Sequence, residues 1–142
     1  MKDALRFLFG ISVVVLIACS GSAKREAVIL IAAVDAFRRA ESPRKEAEAK
    51  RVSAVACTDD RVCAAKRACV SALEPTAQAL ILKEQVERSV ASIEGKTLAP
   101  DSPEARGLPA KLDEAERLLS DGRVKMATCD RRLAELQLQL EM

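Results

Sequence analysis

The chain has 142 residues, 49% of them hydrophobic and 31% charged, enough apolar material for one folded domain. Its 23 basic and 21 acidic side chains nearly cancel, so it has no overall field for gathering nucleic acid. It has no His, Trp or Tyr, and its three Phe are Phe7, Phe9 and Phe37, so the usual general acid–base, the commonest metal ligand and base-stacking platforms are missing. A chain rich in Ala, Leu and Val and poor in Gly and aromatics favours helix.

The N-terminal segment carries Lys2 and Arg6, diluted by Asp3, then the apolar run Phe7 to Ala18. This has the length and position of a signal-peptide core and is short for a membrane span, which needs about 20 apolar residues. Lys24-Arg25-Glu26 prevents the next apolar run, Ala27 to Val34, from extending it.

The run ends in Leu16-Ile17-Ala18-Cys19, which resembles the lipobox of bacterial lipoproteins. The resemblance covers residues 1–19. It implies removal of residues 1–18, a diacylglycerol on the Cys19 thiol and an acyl chain such as palmitate on the new amine. It therefore implies a membrane partner, held through the lipid, and no other cofactor. Two or three acyl chains make such an anchor slow to release. Ser20 in place of Asp after the cysteine resembles the sorting signal for the outer membrane, facing the periplasm. Residues 19–23 are expected to be a lipidated, flexible tether, and residues 24–142 one helical domain.

The remaining cysteines are Cys57, Cys63, Cys69 and Cys129. In an oxidising compartment an even set is read as disulfides, here with three connectivities. The C-terminal segment has an apolar seam at Leu112, Ala115, Leu119, Gly122, Met126, Cys129, Leu133, Leu136 and Leu140. Its steps alternate three and four, so Cys129 faces a partner helix. The preceding segment has a looser seam, Val62, Ala65, Cys69, Ala72, Thr76, Ala79, Leu82, Val86, Val90 and Ile93. An antiparallel hairpin turning between Glu94 and Pro109 opposes residues whose numbers sum to about 203, because both arms rise equally. Cys69 and Cys129 come close to that register, which favours Cys69–Cys129 and leaves Cys57–Cys63 around Thr58-Asp59-Asp60, with Thr58 as the helix cap. A zinc or redox site is the alternative, but the spacing lacks the C-x2-C of common motifs. Cys57-Thr58-Asp59-Asp60-Arg61-Val62-Cys63-Ala64-Ala65 is similar to a stretch of the small lipoproteins that exclude incoming conjugative plasmids; those chains are shorter, and the similarity covers one cysteine-bracketed turn.

Three helices are expected, at about 24–56, 59–94 and 109–139. Ser42-Pro43 interrupts the first, with Ser42 as a cap. Pro75 predicts a kink or break in the second. Gly95 to Leu108 is read as a loop, rich in Gly and Pro. Ser120-Asp121-Gly122 is a place for the third helix to bend. The fold expected is all-α: an elongated antiparallel helical hairpin or three-helix bundle, up-down-up, with a thin aliphatic core stapled by disulfides.

Other motifs have ordinary readings. Gly95-Lys96-Thr97 looks like the end of a phosphate-binding loop, but position 90 is Val90 and no strand precedes it. The basic pairs Lys24-Arg25, Arg38-Arg39, Arg44-Lys45 and Lys50-Arg51 alternate with acids, as a solvated helix face does. Asp113, Glu114 and Glu116 suit the first turns of the third helix. No catalytic or metal-binding set is found, so the expectation is a non-enzymatic envelope protein that binds or spaces other envelope proteins. The alternatives are a periplasmic chaperone or inhibitor, with a client groove along Ala27–Val34, and a cysteine-rich metal or redox protein. The seam of the third helix would also serve a homodimer.

Overall fold

The computed structural model describes the backbone from Ala4 to Met142 and the side chains from Gly21 onward. Four α-helices follow in order: α1 (Ala4–Arg39), α2 (Lys45–Ala54), α3 (Asp60–Glu94) and α4 (Pro103–Gln139), with a single 3-10 turn at Ser42–Arg44 before α2. No strand occurs among the described residues. The fold is an all-α antiparallel bundle built on the α3–α4 hairpin.

The turn between α3 and α4 sets the register. α3 ends at Glu94 and α4 begins at Pro103, six residues, or about a turn and a half, before the expected start at Pro109. Ser102 caps α4 by accepting from the Ala105 amide, Pro103 occupies the first turn, where its missing N–H costs nothing, and Glu104 meets the positive helix end. Pro109 lies inside α4. Opposed residues therefore sum to about 197, and Cys69 and Cys129, whose numbers sum to 198, sit level with each other.

α3 and α4 continue through their marked positions. Pro75 lies within α3, and beyond it the expected seam holds at Ala79; only nearer the turn does it slip, where Ser89 is buried and Val90 exposed. Leu73 and Ala77, off the expected seam, are buried as well. α4 keeps Ala115, Gly122, Cys129, Leu133 and Leu136 inside, with Leu118 buried and Leu112 exposed against expectation. Gly122 does not end or break α4. It lies at a close approach of the two helices: a Cβ there would stand 3.1 Å from the Ala72 carbonyl oxygen.

The expected first helix is two helices. Glu41 is extended, Ser42-Pro43-Arg44 form the 3-10 turn, and the chain folds back instead of resuming the same axis. Lys45 holds the reversal by donating to the Phe37 and Arg38 carbonyls at the end of α1, with its ammonium 4.6 Å from the Phe37 ring centroid. Burial lowers its pKa. α1 runs beside α4 in the opposite sense: Lys24 donates to the Glu141 carbonyl at one end, and Arg38 pairs with Asp130 further along. α2 returns along α3, ending where Lys66 donates to the Val55 carbonyl. The order is thus up-down-up-down. Where a flexible tether was expected, Gly21–Ala23 are already helical, and Ala23 is buried.

The core is uneven. Its main cluster joins Leu30, Val34 and Phe37 of α1 and Val52 of α2 to Val62, Cys69 and Leu73 of α3 and Cys129, Leu133 and Leu136 of α4. A separate small cluster, Ala79, Ala115 and Leu118, lies further towards the hairpin turn. The molecule therefore has a four-helix base and a two-helix arm.

Candidate functional site

The residue that carries the lipid in the sequence reading, Cys19, lies outside the residues whose side chains are described. The other four cysteines are joined as the register favours. Cys69–Cys129 ties α3 to α4 inside the main core, with Cα atoms 4.5 Å apart. Cys57–Cys63 closes the entry to α3, with Cα atoms 5.4 Å apart and both residues half-buried. The two bridges differ chiefly in access: one is enclosed by the core and the other meets solvent.

The loop inside the smaller bridge is held from both sides. Its helix cap is Asp59, not Thr58: the Asp59 carboxylate accepts from the Arg61 and Val62 amides. Arg61 also grips it through Nε at 3.0 Å and Nη2 at 2.8 Å. The Arg61 hydrogen bond, aided by the two amides, lowers the Asp59 pKa to about 2. Thr58 turns instead to α1, where its hydroxyl donates to Glu26 Oε1 at 2.6 Å and its amide to Oε2 at 2.8 Å. The Asp59 amide adds a third donor to Glu26. Led by the Thr58 hydroxyl, these donors hold the Glu26 carboxyl below its ordinary pKa. Sequence reasoning missed Glu26 because its partners lie 32 and 33 residues away and it looked like one charge in a solvated cluster.

The remaining charges are mostly structural. Glu48 is buried on α2, with Arg51 at 3.0 Å and Arg44 at 4.0 Å. Lys50 pairs with Glu46 one turn away, and Arg38 with Asp35. Glu114 pairs with Arg117, whose hydrogen bond lowers its pKa. Because α4 begins at Pro103, Asp113, Glu114 and Glu116 lie beyond its first turn, and Glu104 is the acid at the helix end. Glu104 accepts from the buried Ser89 hydroxyl at 2.8 Å, locking the arm near its turn. Gly95-Lys96-Thr97 is that turn, with Lys96 in the left-handed region at φ 57°.

Among residues 21–142, whose side chains are described, no group of His, Cys, Asp or Glu is suited to holding a metal, and no helical stretch is long and apolar enough to cross a membrane. A hollow of about 450 Å³ lies between α2 and α3 against Ala49, Ala77 and Ile81, with Glu46, Lys50 and Glu74 beside it. No family model, curated protein or solved structure matches the chain.

Proposed function

We propose that this chain is an exported bacterial lipoprotein, fixed to a membrane by a lipid on Cys19, whose helical body serves as a non-enzymatic interaction or spacing module of the cell envelope. The observation that carries the proposal is the pairing of Leu16-Ile17-Ala18-Cys19 with a body whose other four cysteines are all joined in bridges. Structural disulfides belong to oxidising compartments, and a lipobox delivers a chain to one. The two features come from different parts of the molecule and point to the same place, with the outer membrane as the expected destination.

The architecture supports a module that presents a surface. One disulfide at the entry to α3 and one between α3 and α4 stiffen the base, and the two-helix arm extends from there. The client-binding alternative has less support, because Ala27, Leu30 and Val34, the face that would line a groove, are packed into the core. With their sulfurs bridged, the four body cysteines also offer no thiolate for metal binding or nucleophilic attack.

The test is metabolic labelling with a radioactive or alkyne-bearing fatty acid in a bacterium expressing the wild type and Cys19→Ser. Label and membrane association in the wild type, both lost in the variant, are expected. A wild-type chain that takes up no label would overturn the proposal.

A further inference from the structure

We infer that the end of the four-helix base where α1 near Lys24, the α2–α3 loop at Thr58 and the end of α4 meet rests on the lipid surface and holds the two-helix arm away from it. This rests on the lipid anchor proposed above. Of the seven large hydrophobic residues exposed among those described, four cluster at this end: Val28 (53%) and Ile29 (51%) on α1, and Leu138 (82%) and Met142 (41%) at the end of α4. The Lys24 hydrogen bond to the Glu141 carbonyl brings the two chain segments together.

The occupant follows from where the lipid must be. Cys19 lies five residues before Lys24, so its acyl chains enter the bilayer within at most about 18 Å of this end, and closer if the intervening residues stay helical. An apolar side chain held that near a membrane inserts readily into the boundary between headgroups and acyl chains, which is about 5–10 Å deep. Arg25, exposed about one turn nearer Cys19 than Val28 and Ile29, has a long side chain that reaches headgroup phosphates while its stem stays in the apolar layer. Towards the opposite end only Val90 (40%) and Leu112 (39%) are exposed, each less than any of those four, and Gly95 to Asp101 forms the turn. With the base on the membrane, α4 carries that turn about 55 Å along its own axis, which gives the arm reach.

The absence of Trp makes a clean optical test. Leu138→Trp and Val124→Trp would each be made in the full chain, purified with lipid attached, and placed in vesicles of phosphatidylethanolamine and phosphatidylglycerol with brominated acyl chains. Val124 is also well exposed (71%) and lies two heptads along the same stripe of α4, about 21 Å away. The L138W chain should lose half its emission or more relative to unbrominated vesicles, and the V124W chain almost none. Equal quenching of both would mean that the helices lie along the bilayer, and quenching of neither would mean that the end stands clear; both results overturn the orientation while the protein still floats with the vesicles. Failure to float would overturn the anchor itself, and this inference with it.

Discussion

Gly122 of α4 faces Thr76 of α3 so closely that a Cβ on the glycine would stand 2.2 Å from the threonine hydroxyl oxygen and 3.1 Å from the Ala72 carbonyl oxygen. Side-chain movement could relieve the first contact, but only backbone movement relieves the second. The glycine therefore sets the spacing of the hairpin within two turns of the Cys69–Cys129 bridge.

Gly122→Ala tests this by sign. Inside a helix Gly→Ala ordinarily stabilises by up to about 1 kcal/mol. Here overpacking reverses the effect, and a net loss of about 1–3 kcal/mol is expected in urea unfolding. Gly107→Ala, in the same helix with open space around it, is the control and should stabilise.

The bridges should differ in energy and in access. In the chain-entropy model, the 60-residue loop closed by Cys69–Cys129 is worth roughly 4 kcal/mol and the small loop of Cys57–Cys63 roughly 2 kcal/mol. Under graded reduction with thiol trapping, Cys57 and Cys63 should be alkylated while Cys69 and Cys129 remain joined. Trapping of Cys69 and Cys129 first, in folded protein, would contradict the buried placement.

Acid should loosen the loop at the start of α3. Asp59 and Glu26 both have folded pKa values below their ordinary 3.8 and 4.5, so the stability they add is fully present above those values. It is lost as pH falls below them, for Asp59 down to about 2. The melting temperature should hold from neutral pH to about 5 and fall below that. Glu26→Gln should melt lower at pH 7 and fall less steeply in acid. Parallel curves for variant and wild type would show that the Thr58–Glu26 contact adds nothing.

Lys96 holds a left-handed backbone one residue after Gly95, which is itself at φ −75°. The Lys96 and Thr97 amides bond back to Ile93 and Ser92, closing the helix end. Lys96→Gly should therefore stabilise by about 1 kcal/mol, measured by thermal unfolding. A loss of stability would mean that the lysine side chain matters more than its backbone strain.

The sequence made some of this legible and hid the rest. The seam of α4 was readable because its alternating steps survive from Ala115 to Leu136, and this alone placed Cys129 against α3. The start of α4 was missed because Gly107 and Pro109 look like loop residues; the Ser102-Pro103-Glu104 cap was the better signal. That error put the hairpin register at 203, yet the cysteine pair sits at the true register. The reversal at Pro43 was hidden because an interruption by Ser-Pro permits either a bend or a full turn, and the deciding contact, Lys45 on the end of α1, is tertiary. Near the turn Ser89 replaces Val90 inside, where its hydroxyl donates to Glu104 of α4, a tertiary contact that the hydrophobic pattern of α3 does not show. Glu26 is a partner brought by the fold and not by local pattern.

The most direct test of the central claim is the intact mass of the protein taken from the membrane fraction of an expressing bacterium, before and after reduction. A chain that starts at Cys19, is heavier by its lipid and gains four hydrogens on reduction is the result expected. A full-length, unmodified chain whose mass is unchanged by reduction would contradict both the anchor and the bridges.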